Sequence, residues 1–329
     1  MRQDRRRALR ITAIVAGLLV VSFLLLGVQQ FQNFLTLGAV YALIALGYTM
    51  VYGIIELINF AHGDVFMVGA FVSMWIMTVP LGLLDRPIDD PIRLGGILLI
   101  VVVATMVFMG LVGVIIERFA YRPLRHAPRL APLITAIGVS FILQNIIQAI
   151  FSASPISVPQ IFPRLKLDLL GGSIGALNIF MLAVAIVLMV GLQLFVSRTR
   201  LGRAMRSTAQ DREAAELMGV DINQTIAITF FIAAALAGAA GVIQGLYFGS
   251  IQFNLGFFAG LKAFTAAVLG GIGNTTGAAI GGFVIAFIEV FAARLDLSRW
   301  SEVAVFSVLI LVLVFRPSGI LGQALGERA

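Results

Sequence analysis

Residues 197–224 read SRTRLGRAMRSTAQDREAAELMGVDINQ and lie between two long apolar runs. Five arginines fall within the stretch: Arg198, Arg200, Arg203, Arg206 and Arg212. Asp211 to Met218 reads as a short helix. Its interior is Glu213, Ala214, Ala215, Glu216 and Leu217, and Gly219 ends it, since glycine accepts the left-handed conformation that closes a helix. The flanking runs can only be buried in lipid or in other protein. A chain that carries one compact, charged helix between such runs presents that helix to a partner.

Working outward, the same apolar character extends over all 329 residues. Sixty per cent are hydrophobic and 12% are charged, about half the charged fraction of a soluble domain. Runs of bilayer-spanning length recur from end to end. They are continuously apolar rather than alternating, which excludes a β-barrel and leaves an all-α polytopic membrane protein. A net charge of +7 would suggest nucleic acid in a soluble protein. Here the arginines flank apolar runs and report orientation instead, so nucleic acid is not expected as a partner and membrane lipid is. There is no cysteine, hence no disulfide and no thiolate metal site.

About ten apolar segments are expected to cross: 10–28, 33–54, 60–79, 94–116, 131–151, 177–196, 224–247, 255–271, 275–292 and 301–315. The eighth and tenth are short, so they are tilted or broken spans, and the eighth has the length of a half-helix. The first follows a basic stretch like that of a signal peptide. It is longer than a signal core and meets Gln29 and Gln30 without a small-residue cleavage site, so it reads as a retained helix. With the N-terminus inside, sixteen arginines fall on the cytoplasmic side: five before residue 11, then Arg118, Arg122, Arg125, Arg129, the central five, Arg316 and Arg328. Six basic residues fall outside: Arg86, Arg93, Arg164, Lys166, Arg294 and Arg299. That asymmetry predicts both termini and the central loop in the cytoplasm. Residues 152–176, with Pro155, Pro159 and Pro163, read as an extended outer loop. No soluble domain is visible; residues 1–329 read as one transmembrane domain, with its cytoplasmic loop at about 197–224.

Polar residues inside spans are costly in lipid and are functional candidates by default. Glu56, Asn59, His62 and Asp64 lie where the second span ends and the third begins. They read either as a turn and helix cap, with Asp64 favoured by the helix dipole, or as contacts on a path or gate. Hydrogen bonding is the simpler role for His62. The other histidine, His126, lies in a different loop, so a metal site is not expected. Lys262 and Glu289 form a second group. Lys262 lies about 10 Å and Glu289 about 5 Å below the outer ends of their spans, a difference that a lysine stem bridges. An ion pair competes there with a snorkelling lysine. Gln144 and Gln148 share a helix face, beside Asn145, and read as interhelical hydrogen bonding. Small residues at four-residue spacing, Ala233 to Gly249 and Gly273 to Gly281, read as close helix packing.

The phosphate-cradling pattern G-x-x-x-x-G-K-[ST] is absent, and both lysines follow leucine. No HExxH is present. The chain therefore reads as no enzyme and as holding no cofactor.

GYTMVYGIIELINFAHGDVFMVGAF, Gly47 to Phe71, resembles permeases of the branched-chain amino acid ABC importers. YRPLRHAPRLAPLITAIGVSFILQN (Tyr121–Asn145), GLKAFTAAVLGGIGNTTGA (Gly260–Ala278) and RPSGILG (Arg316–Gly322) strengthen the likeness. The Asn-Phe-Ala-His-Gly form is similar to the first of the two permease types. The resemblance implies an ABC importer permease fold in the cytoplasmic (inner) membrane of a bacterium or archaeon. It implies four kinds of contact: a second permease lining the path with this one, two cytoplasmic ATPases holding ATP and Mg2+, an extracytoplasmic amino-acid-binding protein, and lipid. Glu213-Ala214-Ala215 followed by Gly219 resembles the EAA loop of ABC importers, whose short helix seats in a groove of the ATPase; no Leu-Pro follows here. Two other readings compete: a permease for urea or short amides, and an ion-coupled secondary transporter using Asp64 and Glu289. The secondary transporter has no need of the central loop.

Overall fold

The computed structural model describes residues 2–83, 85–125, 127–128, 130–163, 166–169, 172–316 and 318–322. Among these the chain forms eleven α-helices. They are α1 (Arg2–Ile55), α2 (His62–Thr78), α3 (Pro91–Ile116), α4 (Leu130–Phe151), α5 (Ala176–Arg198), α6 (Arg200–Gln210), α7 (Arg212–Leu217), α8 (Ile222–Phe248), α9 (Leu255–Gly270), α10 (Thr275–Arg294) and α11 (Ser301–Phe315). Of the residues used above to assign orientation, Arg129, Arg164 and Arg328 lie outside the described residues, as does His126.

Each of the ten apolar segments lies wholly or mostly within a helix, but they are not ten separate full spans. Among the described residues, seven helices are long and apolar enough to cross a membrane. Segments 10–28 and 33–54 belong to one of them, α1, which breaks at Gly27 (φ 72°, ψ 169°). Phe23 and Phe31 meet edge to face across the break, with ring centroids 5.4 Å apart. Eight residues of unbroken helix would separate them by about 12 Å, so the chain turns sharply at Gly27. Arg294, at the end of α10, donates to the Leu26 carbonyl that the break leaves open. α2 has 17 residues and α9 has 16, each short of the ~20 that a hydrocarbon core requires.

Polar caps start the helices where the apolar runs begin. Asp90, Asp221 and Asn274 accept backbone N–H groups at the starts of α3, α8 and α10, satisfying donors that the first turn leaves free. The core is built around α8, in which every residue from Ala233 to Leu246 is buried. α8 packs on α1, α2 and α3, and α10 packs between α1 and α9. Small residues permit this. A side chain at Gly241 would place its Cβ 2.5 Å from the Ala70 backbone nitrogen, so α2 and α8 touch backbone to backbone. Gly273 belongs to a turn instead (φ 87°, nothing near its missing Cβ).

The loops gather at two ends. At one end Ile156 and Ser157 pair with Ile251 and Ser250, and Gln160 N–H donates to Asp85 (2.8 Å). The stretch expected to be merely extended thus contains short strands, including a hairpin of Lys166–Leu169 with Gly172–Gly175. At the other end lie α6 and α7, the loop after α1, the turns after α3, and the Ser318–Gly322 turn. There Asn274 donates to the Leu321 carbonyl (2.8 Å).

Candidate coupling and translocation sites

The central loop folds by local rules. Thr199 ends α5 and caps α6, its hydroxyl accepting from Gly202 N–H (2.9 Å). A Cβ at Gly202 would lie 2.3 Å from the Val196 carbonyl, so only glycine lets the chain turn this tightly. Arg206 donates to the carbonyls of Val196 and Ser197, which close α5. α6 buries Gly202, Met205 and Thr208 and leaves Arg203, Arg206 and Ser207 exposed.

α7 is closed at both ends. Asp211 accepts from Ala214 N–H (3.0 Å). At the C-terminus Gly219 (φ 84°) donates to Glu216 O (2.9 Å) and Val220 to Ala215 O (3.0 Å), the paired bonds of a Schellman motif. Six residues are too few to hold a helix alone, so the caps and one buried contact set its position. That contact is Ala215, 3% exposed. Arg212 adds a tie, donating to the Ile54 carbonyl at the end of α1 (3.0 Å). Ala214 is exposed, whereas Ala215 packs against this chain. Glu213, Glu216 and Gly219 are exposed too, and the tip is apolar: Leu217 and Met218 are 88% and 85% exposed.

The residues proposed for a path divide into separate places. Glu56 lies at the α7 end, exposed, with φ 56°. Asn59 is buried and accepts from the Tyr121 hydroxyl (2.9 Å). His62 is buried against Tyr48, with centroids 4.8 Å apart, over Gly47, where a Cβ would fall 2.1 Å from Nε2. Its Nε2 has no hydrogen-bond partner among the described residues, so ring packing holds that side of it. Asp64 does not cap its own helix. Its carboxylate accepts from Ser140 Oγ and from Gln144 Nε2 (3.0 Å), both on α4. Gln144 therefore bonds between helices as its spacing suggested, while Asn145 bonds within α4, to Phe141 O.

Lys262 and Glu289 do pair. Lys262 Nζ lies 2.8 Å from Glu289 Oε1, and the Tyr41 hydroxyl donates to Oε2 (2.7 Å). One carboxylate thereby joins α9, α10 and α1. No hydrogen bond among the described residues links this trio to Asp64. Tyr41, Ser140 and Tyr121 were missed from the sequence, since a tyrosine or serine in an apolar run carries no mark of its partner. A third cluster was also missed. Glu117, fully buried, is held by Arg122 (2.9 Å) and by Arg125, and Arg125 donates onward to Asn223 (2.6 Å). The basic run there had been read for orientation alone.

Residues 30–314 match the family model described as "Branched-chain amino acid transport system / permease component". The chain is 44% identical over 301 residues to the high-affinity branched-chain amino acid transport system permease protein BraD of Pseudomonas aeruginosa. It is 42% identical over 301 residues to the corresponding LivH of Escherichia coli K12. Both alignments cover 90% of this chain and 95% of the relative. The probable LivH of Methanocaldococcus jannaschii is 27% identical over 85% of the chain and 88% of the relative. No solved structure matches. The chain, an all-α multi-pass membrane protein, belongs to the permease family of branched-chain amino acid transport systems.

Proposed function

We propose that this chain is one membrane subunit of an ATP-driven importer of branched-chain amino acids. It lines the path together with a second permease, receives substrate from an extracytoplasmic binding protein, and is driven by two cytoplasmic ATPases that hold the ATP and Mg2+. The observation that carries this reading is the match to BraD and LivH at 44% and 42% identity over nine-tenths of the chain. The coupling role of α7 is supported by its geometry. A helix capped at both ends, with Leu217 and Met218 exposed at its tip, is a rigid projection suited to an apolar groove. Arg212 ties that projection to the end of α1, and α1 carries Tyr41 into the trio with Glu289 and Lys262. A push on α7 thus has a continuous route to the helices that hold the buried ion pair. Asn59, His62 and Asp64, near the start of α2, are the residues we place nearest the path.

In this reading residues 1–329 form one transmembrane unit in the inner membrane. Ten crossings follow if α1 returns on itself at Gly27 and the short helices α2 and α9 complete their crossings with flanking loop. Both termini are then cytoplasmic. Three experiments test this. The tagged protein, purified from its host, should bring down a second permease and ATPase chains, and its deletion should abolish high-affinity uptake of leucine, isoleucine and valine. A single cysteine at Gln210 should resist impermeant thiol reagents in intact cells, and one at Gln160 should react; the reverse pattern overturns the orientation.

A further inference from the structure

Behind α7 lies a cavity of about 170 Å³. Each water needs roughly 10–15 Å³ on this measure, so the space takes a small organic molecule rather than one or two waters. Its walls come from the end of α1, the turns after α3, and the starts of α4, α7 and α8. Ile55, Leu57, Leu124 and Ile226 supply an apolar side. Arg125 and Arg212 supply cations and Glu56 a carboxylate. The part of the wall at Tyr121 is a π-turn, Glu117–Tyr121, a distortion that recurs at functional sites.

The charges are arranged rather than scattered. Buried Glu117 and Asn223 hold the Arg125 guanidinium in place. Arg212 spends one nitrogen on the Ile54 carbonyl. Arg122 and Arg125 hold Glu117, Arg212 stands near Arg125, Asp221 lies near Arg122, and Arg125, Arg212 and Glu56 are the charges on the cavity wall itself. Burial above all, with the nearness of Arg122 and Arg212, pushes the Arg125 pKa down against the pull of Glu117. Glu56 N–H donates to Tyr52 O (2.8 Å), but its carboxylate makes no hydrogen bond or ion pair among the described residues. Its backbone sits at φ 56°, where a side chain larger than asparagine or aspartate is uncommon.

Two guanidiniums, a carboxylate with no side-chain partner among the described residues and an aliphatic wall are the complement of a zwitterion with an aliphatic side chain. We propose that this cavity binds a free aliphatic amino acid from the α7 side of the membrane. Its carboxylate is taken by Arg125 and Arg212 and its ammonium by Glu56, and the occupied cavity slows transport. This rests on the function proposed above in one respect: the ligand is the product delivered to that side. Slowing follows from where the contacts lie. The ligand ties Arg212, the first residue of α7, to the ends of α1 and α3, and so favours the state in which α7 is seated on them. A coupling helix that must move pays that preference in each cycle.

The test uses the assembled complex of permeases and ATPases in proteoliposomes, with the binding protein on the opposite face. Leucine at saturating concentration on the ATPase face should lower the initial rate by about tenfold, within the usual range of coupling between sites. Leucinol, which lacks the carboxylate, 4-methylpentanoate, which lacks the ammonium, and inorganic phosphate should leave the rate unchanged. Ala127→Phe, which fills the cavity without touching its charges, should transport at the uninhibited rate whether or not leucine is present; Ala127→Leu replaces it if that variant does not assemble. In a second arm, equilibrium binding of radiolabelled leucine to the complex without binding protein should fall in the filled variant. No inhibition by leucine, equal inhibition by leucinol or phosphate, or inhibition and binding that survive the filling each overturn the proposal. A wild-type complex that transports nothing breaks the proposed function instead, and the binding arm still decides this one.

Discussion

The central loop and the membrane interior satisfy their polar groups in opposite ways. In the loop the partners are near in sequence: Thr199 with Gly202, Asp211 with Ala214, Gly219 with Glu216. The outcome is a self-contained helix that needs only Ala215 and Arg212 to hold it to the body. Inside the spans the partners are far apart. Tyr41 and Glu289 are 248 residues distant, and Ser140 and Asp64 are 76. There these groups tie helices together, because lipid offers no water to take the place of a missing partner, while Asn145 and Thr229 turn back to carbonyls of their own helices. Polar chemistry in the loop is therefore free to face a partner protein, while polar chemistry in the spans is committed to the fold.

The sharpest way to break this contrast is to unpair a buried charge. Lys262→Met leaves Glu289 with Tyr41 alone. Breaking a buried pair costs roughly 3–5 kcal/mol, and the low end applies, since the Glu289 side chain keeps 22% exposure. Thermal denaturation in detergent should show the loss, and adding Glu289→Leu should recover part of it. Effects that simply add would mean the pair contributes nothing beyond its members.

The loop should respond in function rather than stability. Leu217→Asp with Met218→Ser should leave insertion and thermal stability unchanged, because both side chains are exposed. Uptake should fall about tenfold or more, equivalent to at least ~1.4 kcal/mol of lost contact, and the ATPases should be lost on purification. Normal uptake with ATPases still bound would remove α7 from the coupling role. Ala215→Trp sharpens the same point. It overpacks the seat of α7 on this chain, at about 1–3 kcal/mol, so stability should fall as well as uptake. A change in ATPase binding with no loss of stability would place Ala215 at the partner after all.

Smaller effects mark the edges of the comparison. Asp64→Asn keeps the shape but offers a donor where Ser140 or Gln144 also donates. A loss of about 1–3 kcal/mol is expected, visible in melting of the detergent-solubilised protein. Asp211→Ala removes one local cap worth about 1 kcal/mol. It should fray α7 and raise amide exchange at Ala214 without lowering global stability.

Much of this protein was legible in its sequence, for a physical reason. An apolar run in lipid must be a helix, because only local hydrogen bonds satisfy its backbone. Each of the ten apolar segments accordingly lies wholly or mostly in a helix. Asp211 to Gly219 was legible because a cap acts within four residues. The pairing of Lys262 with Glu289 could be posed from depth along two spans, but not decided. What the tertiary structure alone decided depends on which faces meet. It turned α1 sharply at Gly27, left α2 short, directed Asp64 to α4 and Tyr41 to Glu289, and turned Ala215 inward and Leu217 outward; the shortness of α9 was already legible in the eighth segment. Periodicity cannot settle such matters in helices that are apolar all round, where no polar stripe marks the exposed side. The cavity behind α7 is a product of the same step, since Glu56, Arg125 and Arg212 come from three distant segments that only packing brings together.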